Sequence, residues 1–236
     1  MDVAAPNIRR LPLPRSTGSR SGAECQTGPV PDPTTAPPER IAAPRRGRPG
    51  YDREQVLEIA VTLFNEQGYD ATSVADLATR LGLTKSALYH HFDSKEQLLA
   101  LALDEALSRL EGVFDEPDAR EGSPAERLGA VLRGAVRVLV DRLPYVTLLL
   151  RVRGNSAVER AALERRRAFD HRVTALVIEA QRAGIVRDDI DGPVATRLIF
   201  GMVNSIVEWY RPGGPVDRER LAYDVVTMAL DGIRTR

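Results

Sequence analysis

The segment from Thr84 to Lys95 reads TKSALYHHFDSK and concentrates hydroxyl, ammonium, phenol and imidazole groups in one short stretch. Such groups can catalyse, hold a metal, or exchange hydrogen bonds with another molecule, and spacing separates the three. His90 and His91 are adjacent, so on a helix they point about 100° apart and cannot grip one ion. His171 lies beside Asp170 with no partner at a catalytic spacing, and reads as a partly exposed helix residue. No H-x-x-x-H, C-x-x-C or G-x-S-x-G occurs, and no glycine-rich phosphate loop follows a strand. The common enzyme constellations are therefore excluded, and neither a metal nor a cofactor is expected. What remains is recognition.

The elements that must position these groups can be read around them. Thr84 is an N-cap for a short helix running to about His91. On it only Ala87, Leu88 and the following Phe92 can face inward, which leaves Thr84, Lys85, Ser86, Tyr89 and His90 outside. Before it, Val74, Leu77, Ala78 and Leu81 recur at i, i+3, i+4 and i+7, the stripe of a two-turn amphipathic helix. Ser73 and Asp76 have capping-box spacing, and Gly82 with Leu83 has the form of a left-handed helix stop. A preceding helix starts at Asp52, carries Val56, Ile59, Ala60, Leu63 and Phe64 on one stripe, and ends at Gly68, with Tyr69 plugging the small core. Another starts at Ser94 and runs through Leu98, Leu101, Ala102, Leu107 and Leu110. Two short helices broken by a glycine, the second polar toward its N-terminus, form a helix-turn-helix suited to the major groove of B-DNA.

The string LGLTKSALYHHFDSKEQLL resembles the helix-turn-helix signature of TetR-family repressors, with Gly82, Thr84, Tyr89, Phe92 and Lys95 at the family spacing. The resemblance extends over about Asp52 to Leu99. It implies that Thr72 or Ser73, with Tyr89, His90 and Lys95, grips phosphates, and that Thr84, Lys85 and Ser86 lie near bases. Lys95 follows the N-cap Ser94, whose capping box closes with Gln97, so a cation stands beside free amides where one phosphate oxygen can be held. Phosphate contacts fix register and base contacts carry sequence, so Lys85 and Ser86 are the expected specificity residues. Ser86 stands where the family often has glycine, and the operator sequence does not follow.

The chain has 236 residues and a formal net charge of +0, which by itself argues against a polyanion binder. Distribution matters more. Residues 1–50 are rich in proline and arginine with no sustained apolar period, and read as a disordered arm, either native or a start-site artefact. No apolar signal segment follows Met1, and Cys25 is the sole cysteine, which fits a reducing compartment. The arm ends in Arg45-Arg46-Gly47-Arg48-Pro49-Gly50. That run is either a solvated basic linker or, beside a helix-turn-helix, a minor-groove arm using Arg46 and Arg48. Residues 51–98, the reading unit, are acidic on count, so the arm must help electrostatically.

Residues 99–236 show helical periodicity throughout and no strand alternation, giving an all-α fold with a second helical domain, for which the family resemblance implies ligand binding and dimerisation. The run GVFDEPDAREGSP from Gly112 reads as a solvated acidic loop. Helices are then expected over 124–143, 144–153, 156–183, 192–210 and 217–233, with Pro124 and Pro193 in first turns. Leu198, Ile199, Met202, Val203, Ile206, Val207 and Trp209 make the penultimate helix apolar on more than one face, as Leu221, Val225, Met228, Ala229 and Leu230 do the last. These residues either complete an internal core or pair with a second copy; the resemblance implies a homodimeric four-helix bundle. The other apolar helix residues, Phe169 and Val173 among them, fill a core or enclose a pocket.

WYRPGGPVD at 209–217 resembles a loop of TetR branches that answer to acyl-CoA ligands of fatty-acid, steroid or aromatic-acid catabolism. That resemblance implies a small-molecule effector met by Phe169, Val173 and arginines such as Arg151, Arg153, Arg165, Arg166 and Arg167. The expectation is a cytoplasmic, nucleoid-associated transcriptional repressor on double-stranded DNA, with no membrane segment. The rival is an architectural DNA-binding protein without an inducer, which would bind all sequences alike.

Overall fold

A computed structural model describes residues 51–233. Its N-terminal unit is set by local signals. Helix α1 (Arg53–Gln67) opens on an Asp52 capping box, in which the Asp52 carboxylate accepts from Gln55 N at 2.8 Å and the Gln55 side chain accepts from Asp52 N at 3.2 Å. Such a cap stabilises a helix by about 1 kcal/mol. Helix α2 (Val74–Leu81) has the same device in Ser73 and Asp76, and stops at Gly82, whose φ of 62° is left-handed. Leu83 N then donates to Ala78 O at 2.9 Å, closing the turn that aims the next helix.

Helix α3 (Lys85–Tyr89) is shorter than its apolar pattern predicts. His91 N and Phe92 N both donate to Leu88 O, at 3.0 and 3.2 Å, so the chain turns there instead of continuing to His91. The turn delivers Phe92 into the core, in which Val56, Ala60, Phe64, Leu77, Leu81 and Leu88 are also buried.

Helix α4 (Lys95–Gly112) leaves this unit and continues into the rest of the molecule. The acidic run that follows is not the loop expected from its charges. It forms a 3-10 turn, Val113–Asp115, and a short helix α5 (Pro117–Arg120) that bury Val113, Phe114 and Ala119. These apolar residues are buried while Asp115, Glu116 and Asp118 stay exposed, and Val113 packs so tightly on Gly134 that a Cβ there would come within 2.4 Å of its Cγ1.

The remaining helices follow the expected order: α6 (Pro124–Asp141), α7 (Leu143–Arg151), α8 (Ala157–Arg182), α9 (Gly192–Trp209) and α10 (Arg218–Ile233), with Pro124 and Pro193 in first turns. Long helix α8 packs against α4, α6 and α9, while α10 lies along α6 and α7 spans from α4 to α1. Among the described residues no helix is long and apolar enough to cross a membrane.

Candidate nucleic-acid interface and apolar cleft

Helix α3 has only 5 residues and buries only Leu88, so its position comes from α2 and the turn on either side. Thr84 Oγ1 accepts from Ala87 N at 3.1 Å, fixing the start of the helix. Thr84, Lys85, Ser86, Tyr89 and His90 are all exposed, Tyr89 at 52% despite its aromatic ring. Exposing a large ring beside a lysine and two hydroxyls leaves apolar surface wet, which a flat polyanionic partner would cover. Ser73 is also exposed, with its hydroxyl 2.6 Å from Asp76 Oδ2. That hydroxyl and the Ser73 amide hold the Asp76 carboxyl below its ordinary range.

Two residues expected on phosphates are turned elsewhere. Thr72 is 1% exposed, and its hydroxyl donates to Gly68 O at 2.8 Å, closing the α1–α2 turn. Of the pair Thr72 and Ser73, only Ser73 can meet a backbone. Lys95 Nζ donates to Tyr69 O at 2.8 Å and Thr72 O at 2.9 Å, and sits 4.2 Å from the centre of the Tyr69 ring. Its ammonium ties the start of α4 to the α1–α2 turn. Beside it, Ser94 caps Gln97 N at 3.0 Å, but the Gln97 side chain returns to Asp93 N at 2.8 Å, so the box closes one residue earlier than expected. Arg46 and Arg48 lie outside the described residues.

Phe169 lines a cleft with Leu110, Ala135, Leu139, Val146, Leu149, Leu150, Phe200 and Val203. Its ring meets Phe114 and Phe200 edge-on at centroid distances of 5.4 and 5.6 Å. The void between these walls is only about 30 Å³, of the order of one water molecule. The cleft opens onto a wider groove of about 470 Å³ between α8 and α9, edged by Arg166, Arg167, His171 and Arg197.

The other residues expected to meet a ligand are placed differently. Val173 is buried in the core and lines neither space. Arg151 donates to Asn65 O at 2.6 Å, holding α7 to α1. Arg165 is engaged by Asp104, Ser108 and Glu111. The Arg153 amide joins those of Gly154 and Asn155 in donating to the buried Glu159 carboxylate at 2.7–3.1 Å. Of the arginines named, Arg166 and Arg167 reach the groove. Asp170, Arg197, Phe200 and Asn204 line these spaces without having been singled out. Helical spacing could have found them, since Arg166 and Asp170 are i, i+4 and Phe200 and Asn204 are i, i+4 on facing helices.

The apolar residues of the last two helices divide. Ile199, Val203, Ile206, Leu221, Val225 and Ala229 are buried within the chain, so the internal-core reading holds for that half. Leu198 at 65%, Met228 at 69% and Trp209 remain exposed, joined by Tyr223. Isolated exposed leucines are ordinary, but four large apolar side chains on neighbouring helices call for a partner.

The comparisons agree with this geometry. Residues 56–102 match the model for bacterial regulatory proteins of the tetR family, and residues 121–233 match that for a tetracyclin repressor-like C-terminal domain. The HTH-type transcriptional repressor KstR2 of Rhodococcus jostii is 31% identical over 210 residues, covering 84% of this chain and 97% of the relative. A solved TetR-family regulator from Streptomyces coelicolor is 51% identical with a TM-score of 0.72, covering 76% of this chain and 91% of its own. AibR, solved in complex with isovaleryl coenzyme A and operator DNA, is 27% identical with a TM-score of 0.63, over 75% of this chain and 96% of its own. A short, outward-facing polar helix set by a glycine turn, two matched domain models and relatives of full length together mean that the chain belongs to the TetR family of helix-turn-helix transcriptional repressors.

Proposed function

We propose that the protein works as a homodimer that leaves a palindromic operator when an acyl-CoA, or a lipid or aromatic catabolite of similar chemistry, enters the cleft between α7, α8 and α9. The observation that carries the DNA reading is the outward face of α3, where Thr84, Lys85, Ser86, Tyr89 and His90 are held exposed on a rigid mount. Lys85, Ser86 and Thr84 meet base edges, Ser73, Tyr89 and His90 meet phosphates, and the arm with Arg46 and Arg48 follows the adjacent minor groove. Residues 51–98 form the reading unit and 99–236 the unit for dimerisation and sensing. The exposed row Leu198, Trp209, Tyr223 and Met228 supports pairing through α9 and α10, which would place two reading heads one helical turn, ~34–36 Å, apart.

The effector reading rests on the join of an apolar cleft to an arginine-edged groove, with AibR, a relative of the same fold, solved with isovaleryl coenzyme A. The void holds about one water, so an acyl group enters only by parting the walls. One wall is α7, through Val146, Leu149 and Leu150. The ends of α7 are fastened to α1: Arg151 donates to Asn65 O at 2.6 Å, and Asn65 Nδ2 donates to Pro144 O at 2.8 Å. A shift of α7 therefore moves α1 and the reading head it carries. The effector acts only through unequal affinity for the parted and closed conformers; coupling of about 1–3 kcal/mol changes operator affinity by roughly 5–150-fold.

Selection of bound fragments from random DNA, repeated with an acyl-CoA panel, tests both parts. Enrichment of an inverted repeat that is released at least tenfold by a thioester supports the reading. Equal affinity for all duplexes, indifferent to ligand, would instead mark an architectural protein.

A further inference from the structure

Asp170 lies where the apolar cleft meets the outer groove and lines both. Its backbone carbonyl accepts from Thr174 Oγ1 at 2.8 Å, but among the described residues its half-buried carboxylate engages no hydrogen-bond donor or ion-pair partner. Arg166 and Asn204 share this neck, whereas Arg167, His171 and Arg197 line only the groove beyond it. Burial pushes the Asp170 carboxyl up, and the nearby charges of Arg166, His171 and Arg197 draw it back. Its oxygens stay open to solvent where it borders both spaces, so an occupant of the neck that displaces water there must offer a donor in its place.

We propose that Asp170 is the residue by which this cleft distinguishes an acyl thioester from the free acid. The inference rests on the acyl-CoA reading given above. An acyl tail in the cleft brings its carbonyl end to the neck. A free acid puts a second negative charge there, where the Arg166 charge is already offset by Asp170, and two carboxylates sharing a partly desolvated site repel. A thioester is uncharged at that point. Its pantetheine amide N–H follows two carbons after the sulfur and supplies the donor that Asp170 lacks, while its phosphates continue outward to Arg167 and Arg197. Discrimination then comes from rejecting the wrong ligand as well as holding the right one.

The test uses full-length protein and matched pairs: butyryl-, octanoyl- and hexadecanoyl-CoA against butyrate, octanoate and hexadecanoate, by titration calorimetry. Wild type should bind at least one thioester at least tenfold more tightly than its free acid. Asp170→Asn should narrow that gap at least tenfold, chiefly by gaining free-acid affinity because Arg166 is no longer offset. Asp170→Glu, which keeps the charge, should preserve the gap, and serves as the control if Asp170→Asn melts early. A gap unchanged in Asp170→Asn, or wild type binding both members alike, overturns the role of Asp170 while leaving the effector reading intact. Wild type binding no thioester overturns the acyl-CoA reading and the role of Asp170 with it.

Discussion

Replacing Lys95 with methionine separates a cementing lysine from a phosphate-gripping one. The substitution keeps the aliphatic stem beside Tyr69 and removes the ammonium that donates to Tyr69 O and Thr72 O at 2.8 and 2.9 Å. A hydrogen bond from a charged group contributes about 1.5–3 kcal/mol, and a partly exposed cation over a ring about 0.5–1 kcal/mol. The contacts share one ammonium and are partly solvated, so the terms overlap and a net loss of about 2–3 kcal/mol is expected. With a urea slope of about 2–3 kcal/mol/M, that moves the unfolding midpoint down by roughly 1 M. The second readout is operator affinity against salt. A lysine on a phosphate contributes about one unit to the slope of log K against log salt, and Lys95→Met should leave that slope unchanged. A slope lowered by about one with an unmoved urea midpoint would refute the reasoning and return Lys95 to the DNA.

Three further outcomes follow from the geometry. Arg151→Ala should leave effector and operator affinities within a few-fold but shrink the effector's influence on operator binding, measured as the ratio of operator affinities with and without acyl-CoA, because the tie from α7 to Asn65 is cut. Leu198→Glu combined with Met228→Glu should yield a monomer by light scattering with unchanged helical circular dichroism, since both side chains are exposed within the chain. For Glu159, burial would raise the carboxyl, but the amides of Arg153, Gly154 and Asn155 overcome it and the net shift is downward. Its stabilisation is therefore full above the ordinary carboxylate range and is lost as pH falls through the lowered folded value. Glu159→Gln should destabilise by about 1–3 kcal/mol at neutral pH and by progressively less in acid, followed by urea titration across pH.

What the sequence discloses depends on how far apart the interacting groups lie. Caps and stops were legible because Asp52, Ser73, Gly82 and Ser94 act within a few residues of themselves, and the outward face of α3 followed from how few apolar residues it contains. The contacts of Lys95 were not legible, since its carbonyl partners lie 26 and 23 residues away and are main-chain atoms that any residue would supply. The same holds for Arg151, whose partner carbonyl is 86 residues distant. The acidic stretch after α4 is not a solvated loop because Val113, Phe114 and Ala119 are buried although charged residues outnumber them. Phe169 was found through apolar periodicity, but the same signal also selected Val173, one turn further along α8 and turned into the core. Periodicity identifies the buried face and does not separate a wall from a filling.

The central claim is that the face of α3 reads sequence while its surroundings hold the backbone. Affinities of wild type and Lys85→Ala should be measured at one salt concentration on the selected operator and on a scrambled duplex of equal length. The expected result is a loss of about 1–3 kcal/mol on the operator, roughly 5- to 150-fold, with scrambled-duplex affinity held within a few-fold. Equal losses on the two duplexes would contradict it.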